Sequence, residues 1–265
     1  MDDADRAISL NPPAARIISL APHATELLFS AGAGAKLVGA VEWSDYPEAA
    51  ARIPRVGDTY SLDLERIVAL DPDLVVAWLS GNGRATIERL EQLGLTVFVS
   101  EPATLERIGT SIRDLGALAG TEIQAQSEAT AFLGRLAGLR GRYSGRPTVS
   151  VFYQLWNQPM FTVGGQHLIS AIMALCGGRN VFAGQTALSP EIGIEAVLRA
   201  DPDVIIASGA GPQRPDWLDD WRRWPGMRAV REDHLYWIAP DLLQRHGARI
   251  LDGAQQMCEM LENSR

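Results

Sequence analysis

The sequence predicts an α/β protein of two Rossmann-like lobes, each with a central parallel sheet, joined by one long rigid α-helix. Three observations lead to this fold class. Short apolar segments alternate with helical patterns in both halves, a long amphipathic segment separates the halves, and one unit of the pattern recurs on each side of it. The predicted organisation is an N-terminal lobe over 1–120, a connecting backbone helix over 121–144 and a C-terminal lobe over 145–265.

The long segment over 121–143 is the expected connector. Thr121 with Gln124 is typical of a capping box, and Gly145 and Pro147 follow where the helix should end. At about 1.5 Å per residue, such a helix runs roughly 35 Å. An ordinary long crossover helix is the alternative interpretation. The apolar residues that share one face of this helix are Ala125, Ala129, Phe132, Leu136, Leu139 and Tyr143.

In the first half, short runs rich in Ile, Leu and Val predict strands, and longer segments with helical periodicity predict helices. The first helix is expected to start near Thr25, with Glu26 in its first turn, where the helix dipole favours a carboxylate. The expected strands are 16–20, 37–43, 73–78 and 96–100, and the further helices are 61–70, 86–94 and 105–120.

The second half repeats this plan after the long helix. Trp217, Trp221 and Trp224 recur at helical spacing there, which favours a packing role for all three. The expected strands are 148–155, 203–209 and 234–239, and the expected helices are 167–178, 194–200, 217–227 and 249–262.

The repeat is specific at one point. LERIVALDPDLVVAW begins at Leu64 and IEAVLRADPDVIIAS begins at Ile194, so a helix, an Asp-Pro-Asp turn and a strand recur with one constant offset. Glu65 and Glu195 start the two helices. They could simply complement the helix dipoles, or they could dock a symmetric, arginine-bearing partner from equivalent points of two homologous lobes.

Composition limits the possible functions. The 265 residues are 46% hydrophobic with a net charge of -8, so nucleic acid is not an expected partner. No apolar run approaches the roughly 20 residues that span a bilayer. The first fifteen residues lack the basic and apolar regions of a signal peptide, which leaves two expectations, a cytosolic protein or the mature form of an exported one.

Signals for catalysis and metal binding are weak. The sequence has no G-x-S-x-G elbow, P-loop, HExxH or CxxC, and its four histidines share no ligand spacing. A zinc site would need at least three of them to converge from separate loops. Cys176 and Cys258 fit either two buried thiols in the cytosol or one disulfide in an oxidising compartment.

Aromatic residues at the predicted strand ends are more informative. Ligands of open α/β sheets bind beyond the carboxyl ends of the strands, and aromatics gathered there suit a large, flat, partly apolar ligand. The alternative is that these residues close the sheet ends as a satellite core. The residues concerned are Trp43, Tyr46, Tyr60, Trp78, Trp156 and Phe161.

Several segments resemble the periplasmic cobalamin-binding proteins of ABC importers, which belong to the class III substrate-binding proteins together with siderophore and haem binders. The resemblance covers about 16 to 260. LERIVALDPDLVVAW is close to the cobalamin binders themselves, whereas the Asp-Pro-Asp unit alone is found across the wider class. The segments that carry it are RIISLAPHATELLFSAGAG, the SDYP turn, LERIVALDPDLVVAW followed by GN, MFTVGG and LCGGRNVF.

The resemblance implies a ligand cleft between two lobes and a set of contacts there. Trp43, Trp78 and Phe161 match aromatic residues that contact the corrin, and His23 matches a small residue of the cleft. Asp241 matches an acidic residue that contacts the ligand, and Arg245 is a further candidate.

The resemblance also implies how the protein is used. Glu65 and Glu195 match two carboxylates that meet arginines of the permease dimer in the inner membrane, and Cys176 and Cys258 match a family disulfide. The expectation is a monomeric, exported, periplasmic protein that binds a corrinoid small molecule, with no catalytic turnover and no cofactor of its own.

Three departures leave the ligand open. Tyr60 follows Thr59 where the cobalamin binder has a tryptophan, and Leu188 precedes Ser189 where it has another. His23 is larger than the residue that it replaces and could reach a metal centre as an axial ligand. Haem or a ferric siderophore remains an alternative ligand. From other classes, a cytosolic corrinoid- or metal-dependent enzyme, a zinc or manganese binder and a sensor lobe stay open.

Overall fold

The computed structural model describes residues 1–209, 211 and 213–265. The strands are β1 (Ile17–Ser19), β2 (Leu37–Ala40), β3 (Leu74–Trp78), β4 (Val97–Ser100), β5 (Val149–Gln154), β6 (Gly178–Asn180), β7 (Val204–Ala207) and β8 (Leu235–Trp237). The α-helices are α1 (Pro22–Ser30), α2 (Leu64–Ala69), α3 (Leu79–Asn82), α4 (Arg84–Gln92), α5 (Leu105–Ala119), α6 (Glu122–Tyr143), α7 (Leu168–Leu175), α8 (Ile194–Ala200), α9 (Arg228–Arg231), α10 (Pro240–Leu243) and α11 (Ile250–Asn263). Short 3₁₀ helices span Gly34–Lys36, Glu48–Arg52 and Asp216–Arg223.

The chain divides into two compact units. The first comprises Met1–Gly134 together with His246–Ala248, and the second comprises Arg135–Arg245 together with Arg249–Arg265. The border between them falls inside α6, and whether this helix is a rigid connector stays a prediction. No helix among the described residues is long and apolar enough to cross a membrane.

Each unit contains one four-stranded parallel sheet. The order is β2-β1-β3-β4 in the first and β6-β5-β7-β8 in the second, so corresponding strands occupy corresponding places. In both sheets the strand that opens the unit lies inside, between its two successors, as in a Rossmann-type arrangement. The predicted α/β fold class with two parallel sheets is therefore confirmed.

The Asp-Pro-Asp repeat has a structural cause in each unit. Asp71 and Asp201 adopt positive φ angles of 44° and 40°, a backbone region in which a short polar side chain is tolerated. The second aspartate of each motif then binds the start of the opening strand. One carboxylate oxygen of Asp73 accepts hydrogen bonds from the backbone N–H groups of Ala15 and Arg16, both at 2.8 Å.

In the second unit, the Asp203 carboxylate accepts hydrogen bonds from the N–H and hydroxyl of Ser150, at 2.8 and 2.6 Å. The Arg228 backbone N–H and its guanidinium both donate to Asp201 and lower the pKa of that carboxyl. In each unit, the Asp-Pro-Asp motif therefore anchors the turn before β3 or β7 to the start of the neighbouring strand, β1 or β5.

Helix α1 begins three residues earlier than predicted. Pro22 occupies its first turn, where the missing N–H of proline costs nothing, and the helix runs through Thr25 without interruption. Glu26 is consequently not in the first turn and is buried. The predicted role of Glu26 at the helix dipole is wrong.

Two helices predicted in the second unit are also corrected. The helix predicted over 167–178 ends at Leu175, and β6 follows where no strand was expected. In place of the helix predicted over 217–227, the structure has the 3₁₀ helix Asp216–Arg223. It ends there because Pro225 prevents helical continuation. Its tryptophans nevertheless pack into the second unit's core as predicted, with Trp221 buried and Trp217 and Trp224 against it.

The long helix has the predicted amphipathic character. Five of its six predicted face residues are buried, and Leu139 is partly exposed. The Thr121 hydroxyl donates to the Ala31 carbonyl at 2.6 Å, which fixes the start of α6 to the end of α1. Gly116 on α5 approaches Ala125 so closely that a Cβ there would stand 2.1 Å from the alanine methyl.

The two cysteines form a disulfide within the second unit. Cys176 caps the end of α7, Cys258 lies in α11, and the sulfur atoms are 2.01 Å apart. Both residues are completely buried. The predicted disulfide is confirmed, and it ties the last helix to the end of α7.

Candidate ligand-binding site

The carboxyl ends of all four strands in the first sheet lead into predicted site residues or their neighbours. His23 follows β1, Trp43 follows β2, Trp78 ends β3, and Glu101 follows β4. Because the strands are parallel, these positions lie along one edge of the sheet. The sequence predicted three of them, and Glu101 was missed.

Trp43 is an exposed aromatic side chain on a fixed backbone. Its side chain is 73% exposed, and its φ angle is 64°, which is rare for a bulky residue. The residues on either side are held in place. The Glu42 N–H donates to the Gly57 carbonyl at 2.9 Å, and the buried Ser44 hydroxyl accepts from Thr25 at 3.1 Å. The loop therefore presents the indole to solvent instead of burying it.

Trp78 is enclosed on several sides. The His23 ring meets its indole edge-to-face with centroids 5.4 Å apart, and the indole Nε1–H donates to Glu101 at 3.3 Å. A Cβ on Gly81 would stand 2.0 Å from the indole, so only glycine fits below the ring. The indole is partly buried, with its polar atom already paired.

His23 is buried, with 6% of its surface exposed, and its Nε2 lies 3.3 Å from the Ser100 hydroxyl. Burial, together with the nearby His246 ring at 6.4 Å, lowers the pKa of His23 to about 3, against a small opposing effect of Ser100. The imidazole is therefore neutral at physiological pH. His246 lies next to His23, and its segment His246–Ala248 groups with the first unit.

Tyr60 lies at the tip of a short loop and is 85% exposed. One carboxylate oxygen of Asp58 accepts hydrogen bonds from the Tyr60 and Ser61 N–H groups, at 2.7 and 2.8 Å. This Asx turn holds the loop while the phenol ring remains in solvent. Tyr60 thus resembles Trp43 in being an exposed ring on an ordered backbone.

Asn82 joins three segments of the first unit and was not singled out by the sequence. Its side-chain oxygen accepts from the Trp78 N–H at 2.7 Å. Its amide donates to the carbonyls of Leu20 and Thr59, at 3.1 and 2.8 Å. The Gly-Asn turn after Trp78 was the only available signal, and it gave no indication of these long-range bonds.

In the second unit, Phe161 lies on an irregular hairpin after β5. It pairs with Trp156 on one side and with Glu191 on the other. The Leu188 carbonyl accepts from Gly164 at 2.9 Å, so the Leu188 segment runs beside the Phe161 segment. Leu188 is 50% exposed, Trp156 is exposed and Phe161 is partly buried. The structure therefore places these predicted residues on adjoining loops.

Asp241 and Arg245 follow β8 and form an ion pair. The guanidinium nitrogen lies 3.1 Å from the carboxylate oxygen, one helical turn away. Between them, Gln244 donates to the Ser208 hydroxyl at 2.7 Å, which ties this segment to the end of β7. Because the strands are parallel and the pair follows β8, it lies at the carboxyl edge of the second sheet.

Glu65 and Glu195 occupy equivalent positions in the two units. Each lies in the first turn of a short helix, α2 or α8, that leads through Asp-Pro-Asp into the third strand of its sheet. Both are exposed, and neither forms an ion pair with another described residue. Among the described residues, no group of three or more His, Cys, Asp or Glu could hold a metal ion.

Over residues 17–242, the sequence matches the periplasmic binding protein family. The chain belongs to this family. The vitamin B12-binding protein of Vibrio campbellii is 38% identical over 255 residues, which cover 96% of this chain and 92% of that protein. That of Photorhabdus laumondii is 34% identical over 249 residues, covering 94% of this chain and 88% of that protein.

The fold of this family member is shared with solved structures. The periplasmic vitamin B12 binding protein BtuF of Vibrio cholerae matches with a TM-score of 0.88 and 37% identity, over 95% of this chain and 98% of that one. The periplasmic heme-binding protein RhuT from Roseiflexus sp. RS-1 matches with a TM-score of 0.80 over 94% of this chain and 98% of that one. At 20% identity, the second likeness shows the fold alone.

Proposed function

We propose that this protein is a solute-binding protein that captures cobalamin or a related corrinoid and delivers it to an ABC importer. The observation that carries the proposal is the exposure of large apolar side chains on ordered loops at the carboxyl edges of the sheets. Trp43, Tyr60 and Leu188 are each half exposed or more. Apolar side chains that are exposed together at the carboxyl edge of a sheet are typical of surfaces that a ligand or a partner covers. The sustained identity to vitamin B12-binding proteins supports a corrinoid as that ligand.

The aromatic side chains would contact the macrocycle. Trp43 offers a free indole, whereas Trp78 offers only a ring surface, because its N–H is bonded to Glu101. Phe161 and Leu188 would add apolar contacts from the second unit. Dispersion and apolar burial suit the large ring system of a corrinoid. The predicted cleft between the lobes stays a prediction.

The polar residues would bind the periphery of the ligand. A corrinoid carries amide side chains, which need hydrogen-bond donors and acceptors at the rim of the site. Asp241 and Arg245 supply both, and their ion pair keeps each in place before the ligand arrives. No residue is proposed to perform catalysis, and the protein acts by binding and release without a cofactor of its own.

Delivery would use the two glutamates. Glu65 and Glu195 are exposed at equivalent positions, which fits a partner that presents two symmetric basic sites. We propose the permease dimer of an ABC importer as this partner, with the binding protein acting as a monomer in the periplasm. The family membership supports this location.

Haem is the alternative ligand, because heme-binding proteins share the fold. An axial role for His23 would be the clearest sign of it. His23 is buried, however, and its Nε2 is next to Ser100, so the imidazole is not presented to solvent. This geometry favours the corrinoid over haem.

Calorimetric titration with cyanocobalamin, with haemin in parallel, tests the proposal. We expect one-to-one binding of cyanocobalamin at micromolar or lower Kd and much weaker binding of haemin. Tight haemin binding without cyanocobalamin binding would be consistent with a transport role but would identify haem as the ligand. Absence of binding to both would contradict the corrinoid proposal.

A further inference from the structure

Glu101 is bonded to the segment that carries Trp78. Its carboxylate accepts three hydrogen bonds, from the Trp78 Nε1–H at 3.3 Å, the Ser80 N–H at 2.7 Å and the Ser80 hydroxyl at 3.1 Å. The first bond holds the indole, and the other two hold the start of α3. One side chain therefore fixes both the ring of Trp78 and the backbone that follows it.

Glu101 is itself held in place. Its backbone N–H donates to Asp3 Oδ2 at 2.6 Å, and the Asp3 N–H donates to the Val99 carbonyl at 3.0 Å. Arg107 forms an ion pair with the other oxygen of the Asp3 carboxylate. The start of the chain thus lies along β4 and fixes the residue after that strand. A carboxylate on such a support has little freedom to move away from Trp78.

The other contacts of the indole do not fix its rotation, which leaves that role to the bond with Glu101. His23 packs its ring edge-to-face against the indole, and Gly81 lies close below it. These contacts limit translation of the ring, but neither has a polar atom bonded to the indole nitrogen. Glu101 is the described residue that sets which way the Nε1–H points, and with it the rotation of the ring.

We propose that Glu101 is a positioning residue that fixes the orientation of the Trp78 indole for ligand binding. The proposal rests on the proposed function, since it assigns to Glu101 a role at the same site. It acts through Trp78 and has no need to touch the ligand. An aromatic surface that is already oriented loses less conformational entropy on binding, and the affinity rises accordingly.

The first test measures the NMR resonance of the Trp78 indole in the ligand-free protein. The ¹⁵N-indole resonance of Trp78, assigned by its loss in Trp78→Phe, is compared in the wild type, Glu101→Gln and Glu101→Ala. Glutamine offers one acceptor oxygen to the two N–H donors, whereas the carboxylate offers two. Glu101→Gln should therefore disturb the indole less than Glu101→Ala does. We expect the Trp78 resonance to shift and broaden progressively in that order, with the other indole resonances unchanged. An unmoved Trp78 resonance in Glu101→Ala would overturn the proposal.

The second test measures cyanocobalamin affinity in a double-mutant cycle. Glu101→Ala should raise the Kd roughly threefold to tenfold, because an indole that is no longer fixed in advance must be ordered when the ligand binds. Its effect should shrink severalfold in a Trp78→Ala background, because the ring that it positions is gone. An equal effect in both backgrounds would show that Glu101 acts independently of Trp78 and would overturn the proposal.

Controls separate this role from folding and from the proposed function. Glu88→Ala, an exposed carboxylate of α4, should change neither the indole resonance nor the affinity. Thermal unfolding of each variant shows whether the fold is retained. If the wild type itself fails to bind cyanocobalamin, the proposed function falls, while the ligand-free resonance still decides the role of Glu101.

Discussion

At the scale of single residues, the burial of His23 makes the stability of the fold depend on pH. Its pKa is about 3 in the folded protein against 6.5 in the unfolded chain, so between these values the unfolded chain binds more protons. The stability that depends on neutral His23 is therefore complete above pH 6.5 and is lost as the pH falls toward 3. We expect His23 to account for about 2 kcal/mol of the loss in unfolding free energy between pH 7 and pH 5.

Urea unfolding of the wild type and His23→Ala at both pH values measures this contribution. The variant should lose about 2 kcal/mol less than the wild type over that interval. Part of the pH dependence will remain in the variant, because burial also lowers the pKa of His167 to about 4. Identical pH dependence in the two proteins would contradict the description of His23 as a buried neutral imidazole.

Trp43 and Asn82 show what could be predicted from the sequence at this scale. Trp43 could be placed at a sheet edge because an apolar strand pattern ends just before it, and strand ends follow from local periodicity. Its positive φ angle could not be predicted, since the backbone before it is fixed by hydrogen bonds from Val41 to Ser19 and from Glu42 to Gly57, which lie far away in the chain. Asn82 was missed for the same reason, because its partners lie far away in the chain.

At the scale of elements, the disulfide connects α7 to α11. The two cysteines are separated by 82 residues. Closing a loop of this length restricts the unfolded chain, which corresponds to about 4.5 kcal/mol in the chain-entropy description. Cys176→Ala combined with Cys258→Ala should destabilise the second unit by about 2–5 kcal/mol.

Hydrogen exchange measures this loss with an internal control. Amides of β5 and β7, in the second unit, should lose protection in the double variant. Amides of β1 and β3, in the first unit, serve as the reference within the same molecule. Unchanged protection of β5 and β7 would show that the disulfide is not needed for the stability of its unit.

The elements also show where prediction from sequence succeeds and fails. The repeated α2–β3 and α8–β7 units could be predicted within about two residues at most of their ends, because helix periodicity, Asp-Pro-Asp and a β-branched run all agree. The start of α2 is the exception, since the helix begins at Leu64 and not at 61. Strand β6 was missed, since its residues Gly178–Asn180 have little strand propensity and pair only because β5 lies beside them. Local signals thus define the repeat, whereas tertiary contacts define the edge strand.

At the scale of the whole molecule, Glu65 and Glu195 are proposed to act together on a partner. Glu65→Ala combined with Glu195→Ala should abolish most of the ATPase stimulation of a reconstituted cobalamin permease, because the basic sites proposed for the permease dimer would lose both carboxylates. The matched control is Glu88→Ala combined with Glu259→Ala, which removes one exposed carboxylate from each unit elsewhere. Equal stimulation by both double variants would contradict the docking proposal.

We propose that aromatic residues at the sheet edge bind the corrinoid. Calorimetric titration of Trp43→Ala and Trp78→Ala with cyanocobalamin measures their contribution, with Ile123→Ala as a control, since Ile123 is exposed on α6 and has no proposed role. If each indole packs on the macrocycle, each tryptophan variant should bind about 1–3 kcal/mol more weakly than the wild type, and the control should match the wild type. Unchanged affinity in both tryptophan variants would contradict corrinoid binding by these residues.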